Sequence, residues 1–108
     1  MDAGRMDKRI SIEAQATTRN AIGEPVTAWV PFAAVWASIE PLRGREFWAQ
    51  QQVQSEVTTR IRIRYRAGIT PAHRVRHAGR IYNIHSVIDP KERHEELELM
   101  CMEGPSNG

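Results

Sequence analysis

The chain predicts an all-β fold, a small β-barrel of about six strands with a long early loop and one short helical insert. Three observations carry this. Apolar residues recur at every second position through most of the chain, the period of strands. Pro/Gly clusters and turn-forming pairs cut that alternation into short runs. One stretch, around "REFWAQQQ", abandons the alternation for helix formers. A length of 108 residues suits one core, so 1–108 is read as a single domain with flexible ends at about 1–6 and 104–108.

The elements follow in order. "RISIEAQA" puts Ile10, Ile12 and Ala14 on one face and Ser11, Glu13 and Gln15 on the other. "TTRNAIGEP", Thr17 to Pro25, is polar with Gly23 and Pro25 and is expected to be an exposed, mobile hairpin loop. "VTAWVPFAAVWASIEP" carries Val26, Trp29, Val30, Phe32, Val35, Trp36 and Ile39; Pro31 cannot donate to a ladder and should split this run at an edge or bend. The insert Pro41–Gln54 contains helix formers from Arg45 to Gln52, with Phe47 and Trp48 as its apolar side. It is too short to hold itself, so it needs a surface to pack on. "TTRIRIRYR" is the next strand, with Val57, Thr59, Ile61, Ile63 and Tyr65 facing in. Arg74 to His77 form a short strand, Ala78-Gly79 a tight hairpin, and Arg80 to Ile88 a strand ended by Asp89-Pro90. In "ELELMCME", Leu97, Leu99 and Cys101 point inward and Glu96 and Glu98 outward.

Composition narrows the chemistry. Fifteen basic and thirteen acidic residues leave a net charge of +2, short of the uncompensated excess of a general nucleic-acid binder. The one cysteine, Cys101, permits no internal disulfide and sits in an apolar alternation as a small hydrophobe. No apolar run opens the chain and none is long enough to span a bilayer, so neither a signal peptide nor a membrane segment is expected, and an intracellular origin is. His73 and His77 stand four apart, but on a strand that is about 13 Å, too far to share one metal ion. No phosphate loop or nucleophile elbow is present, and Glu40 with Glu46 reads as surface charge rather than an acid/base pair. Trp29, Trp36 and Trp48 are core or interface anchors in this reading. No catalytic residue, cofactor or metal is therefore expected.

The alternating Arg60, Arg62, Arg64 and Arg66 admit three roles. Shared core faces would bring Glu96 and Glu98 beside them, and each opposite-charge pair across a ladder contributes roughly 0.2–1 kcal/mol. A self-neutralised outer face is thus favoured over contact with a neighbouring subunit or with DNA phosphates. A small OB-like barrel gripping single-stranded nucleic acid through Arg60–Arg66 is the alternative from another functional class.

The blocks "VWASIEPLRGREFWAQQ", "TTRIRIRYRAGITP" and "GRIYNIHSVIDPKER", in this order over roughly residues 5 to 103, resemble the head–tail joining (head-closure or stopper) proteins of tailed bacteriophages, prophages and gene transfer agents. The resemblance implies a non-enzymatic structural protein of the virion or phage-like particle, assembled in the bacterial cytoplasm. It implies a homo-oligomeric ring of roughly six or twelve copies, a portal or adaptor above, and a tail terminator or tail tube protein below. Double-stranded DNA would pass through the lumen without sequence recognition. On this chain the interface or gating candidates are Ile22, Gly23 and Glu24 in the early loop, and Arg43, Arg45, Glu46, Phe47, Trp48 and Gln51 in the insert. Arg60, Arg62 and Arg64 are candidates for channel or inter-subunit charge.

Overall fold

Six strands account for most of the described chain: β1 (Lys8–Arg19), β2 (Pro25–Pro41), β3 (Thr59–Arg64), β4 (Arg74–His77), β5 (Arg80–Ile88) and β6 (Glu96–Gly104). The structure, a computed structural model, describes residues 5–42 and 57–104. Every neighbouring pair is antiparallel, in the order β1-β2-β3-β6-β5-β4, and pairing of β1 with β4 over Ser11–Glu13 closes the ring into a barrel. Closure removes the free sheet edges that an open six-stranded sheet would expose. Among the described residues the helical structure is a single 3-10 turn, Pro90–Glu92. The expected helical insert lies outside the described residues from 43 to 56.

The alternation predicts the core well. Ile12, Ile61, Ile63, Val75, Leu99 and Cys101 are 0% exposed, and Ile10, Tyr82, Ile84 and Leu97 pack with them. The bounds of β4 and β5 fall where expected. Ala78 and Gly79 both have positive φ, 51° and 82°, the geometry of the two-residue turn whose twist matches its flanking strands.

Three expectations change. The early loop is shorter than Thr17–Pro25: β1 runs to Arg19 and β2 starts at Pro25, which leaves Asn20–Glu24 as the turn. The Asn20 carboxamide oxygen accepts from the Ile22 and Glu24 amides, each at 3.0 Å, a local closure that lets the threonines before it stay in the strand. Second, Pro31 does not split its run. β2 continues for 17 residues, and the register steps from Ile12↔Ala33 to Glu13↔Pro31, so Phe32 is the extra residue of a bulge where a missing donor is tolerated. Third, Tyr65 lies past the end of β3. It is 38% exposed and stacks on His94 with ring centroids 4.4 Å apart.

The two hairpin strands outrun their neighbours. β4 pairs with β1 no farther than Glu13 and β3 pairs with β2 no farther than Ala37. Ala14–Arg19 and Pro25–Val30 therefore form a two-stranded arm beyond the closed ring, about 20 Å long at the usual rise per strand residue. The molecule measures 53 × 27 × 26 Å. Strand directions put the arm at one end of the barrel and the roots of the 43–56 segment, Leu42 and Val57, at the other. Those roots are buried with Met100 in a second apolar cluster, separate from the main core.

Candidate assembly surfaces

The arginines of β3 project from the outer face, because Ile61 and Ile63 between them fill the core. Arg60 Nε donates to Glu40 Oε1 at 2.9 Å, Arg62 Nη1 lies 3.4 Å from Glu40 Oε2, and Arg62 Nη2 donates to Glu96 Oε1 at 2.7 Å. The expected acidic partner Glu96 is there; Glu40 on β2 joins it, brought alongside by the Glu40↔Arg60 register. Burial would push the Glu40 carboxyl up, but hydrogen bonds from Ser38 and Arg60 and the charges of Arg60 and Arg62 hold it below its ordinary 4.5. The Glu96 hydrogen bond chiefly raises the Arg62 pKa. Much of this row is neutralised within the chain.

A second charged group sits at the root of the arm. Glu13 has the outer-face position expected of it, yet it is 8% exposed. Arg74 Nε donates to its Oε1 at 2.7 Å and Arg76 Nε to its Oε2 at 3.1 Å. Arg74, itself 4% exposed, lies with its guanidinium 4.3 Å from the Trp29 ring centroid. Burial alone would raise the Glu13 carboxyl; the two arginines outweigh it and the net shift is downward. Trp29 is thus neither core nor free surface. It clamps the first residues of the arm to β4.

Beyond this clamp the arm has two unlike faces. Pairing of Ala14 with Val30, Ala16 with Ala28 and Thr18 with Val26 assembles an apolar strip that continues the lining of the barrel past its last closing strand. Val26 is 41% and Val30 37% exposed. The opposite face carries Gln15, Thr17 and Arg19 beside Trp29 and Thr27. At the tip Ile22 is 76% exposed, Gly23 has φ 87°, and the Gly23 carbonyl accepts from Arg19 Nη1 at 2.7 Å.

Of the sequence candidates, Ile22, Gly23 and Glu24 form the arm tip, Arg60 and Arg62 the neutralised ladder, and Arg64 an exposed position at its end. Arg43, Arg45, Glu46, Phe47, Trp48 and Gln51 lie outside the described residues. The arm root escaped sequence reasoning because the Glu13 and Arg74 side chains meet only after β4 has paired with β1. The bulge did leave a signal: the apolar positions are even at Val26, Ala28 and Val30 and odd at Ala33, Val35, Ala37 and Ile39, with Pro31 at the change of phase.

Three of the described groups capable of chemistry, Cys101, His73 and His94, have local structural partners. Burial pushes the Cys101 thiol up to about 12, and its Sγ donates to the Leu99 carbonyl. The His73 ring lies against the Thr70 turn, and the His94 ring meets Asp89. Among the described residues no three His, Cys, Asp or Glu side chains gather as a metal site.

A family model described as phage head completion protein matches residues 1–104. Head completion protein gp7 of Enterobacteria phage HK97 is 26% identical over 109 residues, covering 96% of this chain and 97% of gp7. Among solved structures, the solution structure of protein SF1141 from Shigella flexneri 2a superposes with a TM-score of 0.78 at 29% identity, covering 99% of this chain and 100% of that one. A chain of the native gene transfer agent virion superposes with a TM-score of 0.62 at 20% identity, over 93% and 96% of the two chains; at that identity the likeness is one of fold. Matched by this family model over nearly its whole length, the all-β barrel belongs to the phage head completion protein family, structural proteins of the virion head–tail junction rather than enzymes.

Proposed function

We propose that the protein is one subunit of a homo-oligomeric ring between the portal–adaptor complex and the tail. The ring continues the DNA channel, closes it, and offers the docking surface for a tail terminator or tail tube protein. The observation that carries this reading is the bare apolar strip of the arm. A two-stranded ribbon is marginal by itself, and fully burying a valine stabilises by roughly 1.5–3 kcal/mol relative to leaving it exposed. Among the described residues nothing buries Val26 and Val30, so that gain is left to a partner. A closed ring needs two different complementary patches on each copy, and the arm and the roots of the 43–56 segment stand at opposite ends of the barrel. The neutralised ladder suits a channel that lets DNA slip, since each phosphate neutralised by protein adds salt-sensitive affinity. The nucleic-acid-gripping alternative is weakened, because two of its four arginines, Arg60 and Arg62, are already bound to carboxylates.

The test is complementation of particles lacking the protein. Val26→Asp with Val30→Asp is expected to melt like the parent as a monomer yet to yield DNA-filled heads that leak DNA or lack tails. Phe47→Ser with Trp48→Ser should do the same, on the sequence argument for the insert. Normal joining by both double variants would overturn the reading.

A further inference from the structure

Neither the arm nor the ladder uses Trp36, the most exposed described aromatic, at 53%. The registers Arg9↔Trp36 and Ala37↔Ile63 line up Arg9, Trp36 and Arg64 across three strands, with Glu96 next on β6. The Arg9 guanidinium stands 5.2 Å from the indole centroid. Two clefts of about 320 and 410 Å³ share Trp36 and Arg64: the first also takes in Arg9, Tyr65 and Arg66, the second Arg5 and Glu96. Four arginines thus face one carboxylate, and Glu96 is already occupied by Arg62 at 2.7 Å. Arg5, Arg9, Arg64 and Arg66 form no ion pair with a described residue, in contrast to the other end of the same face.

We propose that this cleft docks a carboxylate-bearing, extended segment of another protein of the particle, one that lays an apolar side chain on Trp36 and places its carboxylates among Arg9, Arg64 and Arg66. Charge complementarity selects the occupant. A guanidinium lying over an indole keeps its N–H fork free, and that fork matches a carboxylate in two-point geometry. Tryptophan and arginine are also the side chains that most often dominate protein interfaces. Duplex DNA could satisfy the arginines but would leave Trp36 idle, because its bases are already stacked. An acidic peptide with an apolar residue uses both halves of the cleft. The identity of the occupant as a particle protein rests on the head–tail reading; the chemistry of the cleft does not.

The experiment uses the full chain at about 150 mM salt and four labelled probes: a short peptide alternating glutamate and leucine around one phenylalanine, a polyglutamate of equal charge, a single-stranded oligonucleotide and a duplex. The mixed peptide is expected to bind most tightly. Trp36→Ala, and separately Arg9→Gln with Arg64→Gln, should each weaken it about tenfold or more, with melting temperatures unchanged because these side chains lie outside the core. Absence of binding by the mixed peptide overturns the proposal. So does equal binding of polyglutamate insensitive to Trp36→Ala, which would mean diffuse electrostatics, or preferential binding of either nucleic acid. These results stand whether or not the arm variants join tails, so the two readings fail separately.

Discussion

The barrel and the arm share β1 and β2, and both are lined by small and β-branched residues at every second position. Inside the ring Ile10 and Ile12 are 2% and 0% exposed; on the arm Val26 and Val30 are 41% and 37% exposed. The residues are comparable and the backbone is continuous. What differs is the neighbouring strand, since β4 and β3 pair alongside the ring portion and no described strand pairs alongside the arm. Alternation reports which face is apolar; closure decides whether that face is covered. An apolar face that the chain leaves uncovered is where a partner gains most.

Four experiments break or sharpen this contrast. The largest effect is expected at the boundary. Glu13→Gln removes the carboxylate from a buried pair and leaves Arg74 uncompensated, at a cost of about 3–5 kcal/mol in urea unfolding, and amide exchange should quicken first in Ala14–Arg19. A change confined to the barrel amides would mean that the clamp holds the ring instead of the arm. Next, Ile63→Ala in the core should cost about 2–5 kcal/mol; parental stability would show the faces of β3 to be reversed.

The third concerns acid. The Glu13 and Glu40 carboxyls titrate lower in the folded protein than their ordinary 4.5. Their contribution is fully present above that value and disappears as the pH falls through the lower folded values. Melting temperature should therefore drop below about pH 4.5, and Glu40→Gln should flatten part of that drop. An unchanged acid limb in this variant would remove Glu40 from the explanation. The smallest effect is expected on the arm. Val26→Ser and Val30→Ser should stay within about 0.5 kcal/mol of the parent as a monomer. A loss comparable to that of Ile63→Ala would show that the arm folds back onto its own chain.

Local signals carried well. Ala78-Gly79 between alternating runs fixes the β4–β5 hairpin, and Asp89-Pro90 marks the end of β5, because both depend on the backbone of a few adjacent residues. Leu97, Leu99 and Cys101 read correctly for the same reason. Non-local features did not carry. Glu13 looks like a solvent-facing acid until β4 brings Arg74 against it, and Glu40 has no visible claim on Arg60, twenty residues away. Tyr65 continues the parity of Ile63, but the strand stops before it. Phe47 and Trp48 remain known by sequence pattern alone.

The bulge at Phe32 has a genetic consequence. Because Phe32 is the residue of β2 passed over in the pairing with β1, Pro31 and Val30 lie opposite Glu13 and Ala14 with or without it. Loss of its codon would straighten the strand yet leave Val26, Ala28 and Val30 on the side of Ala14 and Ala16. Loss of a codon nearer the tip, such as that of Ala28, would instead shift the residues before it by one and bring Thr27 opposite Ala16. A three-nucleotide deletion thus spares the faces of the arm at one place in this strand and exchanges them elsewhere.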